Sequence, residues 1–70
     1  MLLNDQMSQA KISKEDFWGM SSYEKGVAVY LQGDVNDEIP SENPFAKGTK
    51  ESNEFERGYR HAMERSKFEI

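Results

Sequence analysis

Apolar residues recur at helical spacing in several short stretches of this chain, and glycine and proline separate the stretches. In residues 1–12, Leu3, Met7 and Ala10 stand at i, i+4 and i+7, a thin stripe that suits a docked turn and a frayed terminus equally. Ser13 then precedes Lys14-Glu15-Asp16, the order of an N-cap with acids in the first turn. Phe17, Trp18 and Met20 follow, and Gly19 limits the run, so residues 13–20 are expected to form a short helical element. Its aromatic residues, Phe17 and Trp18, would lie as a lid over a small core.

Ser21-Ser22-Tyr23-Glu24 has the Ser-x-x-Glu spacing of a capping box. A helix over 22–32 follows, with Gly33-Asp34 as its stop. Val27, Val29 and Tyr30 would also suit a strand, but the cap and the terminal glycine both favour a helix. Tyr23, Gly26, Val27, Tyr30 and Leu31 make its expected inner stripe. Residues 34–48 contain Pro40, Pro44 and Gly48 and read as a loop. Loops of that length in so small a domain are held by contacts or serve a function. The acidic half, from Asp34 to Glu42, is expected in solvent, while Asn43-Pro44-Phe45 forms a turn that presses Phe45 onto the core.

The last helix is expected over 49–66, with Thr49 as N-cap and Glu51 in the first turn. Phe55, Tyr59, Ala62, Met63 and Ser66 share one face, with Gly58 at its edge. A helix-interior glycine costs about 1 kcal/mol relative to alanine. It makes sense where another backbone comes close. The unit Tyr23-Glu24-Lys25-Gly26 is matched by Phe55-Glu56-Arg57-Gly58, aromatic, acid, base, glycine. The two helices are therefore expected to cross near Gly26 and Gly58. The expected fold is all-α: an antiparallel αα-hairpin with an ordered Asn-Pro-Phe loop and a short N-terminal helical element, in one domain.

Charge changes this picture more than composition does. The net charge is −4, and residues 1–40 carry all of it, with three lysines against seven carboxylates; residues 41–70 are balanced. Phosphate contacts supply most non-specific nucleic-acid affinity, so any such role needs a local basic face. One exists. Lys50, Arg57, His61 and Arg65 line one flank of the last helix, diluted only by Glu54 and otherwise unpaired within it. On the other flank Glu56, Arg60 and Glu64 alternate and are expected to neutralise one another. The acids of residues 34–42 are an alternative partner for the basic row.

Seventy residues without cysteine leave no disulfide to staple the fold and no thiolate for a metal. The absence of cysteine suits a reducing cytoplasm. No apolar segment has the length of a signal peptide or a membrane span. A single histidine supplies neither a zinc site nor a nucleophile–base pair, so no catalytic residue, metal or cofactor is expected.

Gly26, then Asn43-Pro44-Phe45 and Gly48-Thr49, then Phe55, Gly58-Tyr59 and Ala62 together carry a resemblance. Their spacing resembles the ribosome modulation factor family and its small phage, prophage and plasmid relatives, over residues 23–63. The resemblance implies two helices joined by an ordered loop. It also implies a protein that binds the ribosome, contacts ribosomal RNA and helps to inactivate it. Ribosome modulation factor is strongly basic, whereas this chain is acidic and carries an additional stretch, residues 1–20. Two functions are thus expected. The first is a non-enzymatic protein that binds the ribosome or its RNA through Lys50, Arg57, His61 and Arg65. The second is a phage or mobile-element regulator that docks on a host protein, steered by Asp34, Asp37, Glu38 and Glu42 and anchored by Phe17 and Trp18. A monomer is favoured over a homodimer, with residues 1–20 covering apolar surface that two helices alone leave open.

Overall fold

A computed structural model describes residues 11–68; the Leu3, Met7, Ala10 stripe lies outside them. Among the described residues the chain is all-α, with helices α1 (Lys14–Trp18), α2 (Ser22–Gln32) and α3 (Lys50–Phe68) and no strand. None of the helices is long and apolar enough to cross a membrane.

The caps form as the sequence indicates. Ser13 Oγ accepts from Asp16 N at 3.1 Å at the start of α1. At α2 the capping box closes both ways: Ser21 Oγ accepts from Glu24 N at 3.1 Å, and Glu24 Oε1 accepts from Ser21 N at 3.3 Å. Each arrangement satisfies amide donors that the first turn of a helix leaves unpaired. Thr49 Oγ1 likewise accepts from Ser52 N at 3.1 Å, and α3 continues two residues beyond the expected Ser66.

Helices α2 and α3 pack on each other, and their closest approach is at two glycines. A Cβ built on Gly26 would collide with the carbonyl oxygen of Phe55 and stand 2.8 Å from Tyr59 N. A Cβ built on Gly58 would collide with the carbonyl oxygen of Tyr23. The backbones touch directly, so neither position has room for a side chain.

The pair makes the contacts of the expected hairpin, with α2 and α3 crossing at Gly26 and Gly58. The first turns of α3 (Lys50, Glu51, Glu54) border Ser22, and Phe55 meets Val29. Its later turns (Ala62, Arg65) border Val27 and Leu31.

This crossing moves the core away from the expected stripe of α2. The buried residues of α2 are Lys25, Gly26, Ala28 and Val29, whereas Val27 is half-buried and Leu31 is 63% exposed. The reason is a second layer. Phe17 of α1 and Ile39 of the loop join Ala28, Val29 and Phe55 in one cluster, with Ile12, Met20 and Phe45 packed against it. Helix α2 is thus covered on two sides, and Val27 and Leu31 lie at the margin of the cover. Phe17 is fully buried, worth about 1.5–3 kcal/mol relative to exposure.

Two buried polar side chains hold the second layer. Lys25 Nζ donates to the carbonyl of Met20 at 2.7 Å and lies 5.6 Å from the centre of the Trp18 ring and 5.7 Å from that of Phe45. The ammonium thereby joins α1, α2 and the loop through one backbone bond and two ring faces. Asn36 lies in the part of the loop expected to be solvated, yet it is 2% exposed. Its Nδ2 donates to Ile12 O at 3.0 Å and Gln32 Oε1 at 2.8 Å, and its Oδ1 accepts from Glu38 N at 2.9 Å. Ile39 is buried beside it, while Asp34, Asp37, Glu38 and Glu42 are exposed as expected.

Two outcomes check this account by urea unfolding. Gly26→Ala and Gly58→Ala should each lower stability by about 1–3 kcal/mol, because the added carbon overpacks a backbone contact. Gly19→Ala, whose new carbon meets nothing nearer than 3.5 Å, should change it by less than about 0.5 kcal/mol. Similar losses at all three would contradict the crossing. Asn36→Leu should cost about 1–3 kcal/mol through the orphaned Ile12 carbonyl and Glu38 amide; an unaffected midpoint would remove Asn36 from its role.

Candidate functional site

The exposed flank of α3 that carries Arg57, His61 and Arg65 is built against α2 rather than standing free. The Gly26–Gly58 contact brings Tyr23 over the basic row. Tyr23 Oη and His61 Nδ1 are 2.7 Å apart, and the two rings meet edge to face at 5.6 Å and 70°. With a neutral imidazole the phenol donates to Nδ1, and Nε2–H is left to point outward. The Arg57 guanidinium lies 6.0 Å from the centre of the same Tyr23 ring, within cation–π reach.

Arg57 departs from the expected unpaired row. Its Nη1 donates to Glu54 Oε1 at 3.5 Å, one turn earlier on α3. Both side chains are well exposed, at 61% and 38%, so the pair contributes little to stability. It does offset part of the positive charge. No other ion pair within 4.0 Å is found among the described residues. The basic row is therefore not folded under the loop acids, and Glu56, Arg60 and Glu64 are near neighbours without close ionic contact.

Beyond His61 the row borders a hollow of about 370 Å³. Tyr23, Val27, Leu31, Ala62 and Arg65 line it. Sequence reasoning put Val27 and Leu31 in the core and so missed this apolar floor. Nothing local distinguishes a core leucine from an exposed one; the crossing decides it. Lys50 lies apart from the other three basic residues, in a hollow with Ser22, Glu51 and Glu54 at the start of α3.

The proposed aromatic anchors separate. Phe17 is 0% exposed and belongs to the core, so it is withdrawn as an interface residue. The reason is the cover that α1 provides: Phe17 points into the Ala28–Val29 cluster while its neighbour points out. Trp18 is 47% exposed, stands edge-on to Phe17 at 5.0 Å and covers Lys25.

The remaining residues of the sequence pattern surround the start of α3. Asn43 Oδ1 accepts from Phe45 N at 3.0 Å, bracketing exposed Pro44. Asn43 Nδ2 donates to Ser52 O at 3.3 Å, Ser52 Oγ at 3.0 Å and Glu56 Oε2 at 3.3 Å. Phe45 stands 6.3 Å from Phe55 in an edge contact. Gly48 has φ +87°, a left-handed conformation that glycine adopts without strain, and Thr49 N then donates to Ala46 O at 3.2 Å. Tyr59 is 39% exposed and Ala62 is half-buried.

No family model matches the chain, and no curated protein or solved structure is significantly similar to it. Among the described residues no group of three or more acids or histidines is placed to hold a metal ion.

Tyr23→Phe tests the coupling of the basic row to α2. Loss of one exposed hydrogen bond should lower stability by no more than about 1 kcal/mol. The His61 Nδ1 resonance should shift clearly in nitrogen NMR; an unmoved resonance would show that the phenol does not set the tautomer.

Proposed function

We propose that this chain is a small non-enzymatic binding protein that engages the ribosome or its RNA through Arg57, His61 and Arg65, with Lys50 at the far end of the row. What supports the reading is that these side chains are all exposed along one helix flank, and that the Tyr23 contact orients two of them. From Lys50 to Arg65 the row spans roughly 22 Å at 1.5 Å per residue, enough for several successive phosphates. The sequence resemblance to ribosome modulation factor adds the ribosome as the target. In this reading the Asn-Pro-Phe segment is an ordered loop whose Asn43 holds the first turns of the binding helix, and the protein acts as a monomer in the cytoplasm.

A second reading is favoured by one observation. Asp34, Asp37, Glu38 and Glu42 are all exposed, and none has an ion-pair partner among the described residues. An acidic surface left unneutralised suits docking on a basic host protein, as a phage-encoded regulator would do. Trp18, but not Phe17, remains available to it as an anchor.

Co-sedimentation with ribosomes through a sucrose gradient separates the readings. Wild-type protein should travel with ribosomes at low salt. The Arg57→Ala, Arg65→Ala double variant should bind at least about tenfold more weakly and with a shallower salt dependence. Wild-type protein that stays at the top of the gradient would end the ribosome reading. A host partner that survives nuclease treatment would then favour the second.

A further inference from the structure

We propose that the hollow between α3 and the loop at Asn43 receives an arginine side chain from a basic segment of a partner protein. This rests on the second reading and names the chemistry of its partner.

The hollow measures about 330 Å³ and lies on the flank of α3 away from the basic row. Val29 and Phe55 form its apolar floor, and Ser41, Glu42, Glu56 and Tyr59 complete the lining. Two carboxylates border it and no basic side chain does. Neither carboxylate has a cation within 4.0 Å among the described residues, although Arg60 follows Glu56 by one helical turn. Glu56 accepts a hydrogen bond from Asn43 through Oε2 at 3.3 Å, which fixes the carboxylate at the rim.

Tyr59 supplies the second element. Its ring meets Tyr30 edge-on at 5.4 Å and 88°, and the residue remains 39% exposed. A ring braced in this way offers a face to a cation beside two acids. A guanidinium satisfies both features, because it stacks flat on an aromatic face and forks onto a carboxylate. An ammonium meets the charge alone. The surrounding field acts in the same sense. Asp34 and Asp37, together with Lys11, line an adjoining hollow that shares Ser41 with this one, so two carboxylates and one ammonium border it on that side. Such a surface draws in a basic segment before the arginine docks.

The test uses the full chain and a fluorescein-labelled peptide of alternating glycine and arginine, followed by fluorescence anisotropy at low salt. A peptide with lysine in place of arginine is the comparison. Glu42→Gln and Glu56→Gln preserve side-chain size, and the amide oxygen introduced by Glu56→Gln still accepts from Asn43. Each should weaken arginine-peptide binding about tenfold, the effect of removing a charge-assisted hydrogen bond. The lysine peptide should bind more weakly than the arginine peptide and should be less sensitive to Tyr59→Leu, with helicity of that variant checked by circular dichroism. No binding to wild type, equal affinity for the two peptides, or glutamine variants that bind as well as wild type would each overturn the proposal. A nuclease-resistant host protein held equally by wild type and Glu56→Gln would sink the pocket while leaving the second reading intact.

Discussion

The contact between the backbones of α2 and α3 at Gly26 and Gly58 is the constraint on which the other features depend. Helices that touch without intervening side chains are held in one lateral position, because any added carbon meets a carbonyl oxygen. That contact is small. What it determines is position: Tyr23 over Arg57 and His61 on one flank, and Tyr59 against Tyr30 on the other.

The apolar core gathers beside that contact. The cluster of Phe17, Ala28, Val29, Ile39 and Phe55 draws one residue from α1, one from the loop and the rest from the helix pair. A core assembled from so many pieces needs its irregular segments tied in place. Lys25 and Asn36 do this with polar groups that are buried and satisfied, and no buried side-chain nitrogen or oxygen lacks a partner among the described residues. A buried lysine without a carboxylate has a physical account here. Its ammonium keeps a carbonyl bond and two aromatic faces in exchange for water.

Helix α3 presents surfaces of different sign. Arg57, His61 and Arg65 stand on one flank; Glu56 stands on the other, next to the exposed acids of the loop. The net charge of −4 conceals this division, since it averages a helix that is nearly neutral with a loop that is acidic.

The sequence alone determined the local elements. The Ser13 cap, the Ser21–Glu24 capping box and Thr49 place three helix starts, because each is a matter of a few adjacent residues and their amide donors. The repeated aromatic-acid-base-glycine unit also pointed to Gly26 and Gly58 as the place where helices meet, since an interior glycine has few other uses. The tertiary structure decided which faces are buried. Leu31 reads as core and lies open, and Val27 is only half covered; Phe17 and Trp18 read as a pair, yet one is buried and the other half exposed; Asn36 and Ile39 read as solvated loop and are buried. Periodicity reports that a helix has an apolar side, but not which neighbour will cover it or at what angle that neighbour crosses. Those are long-range choices, made where α1 and the loop meet α2 and Phe55 of α3. The hollow at Tyr59 and the Tyr23–His61 contact exist only after those choices are made, so no local pattern in the chain announces them.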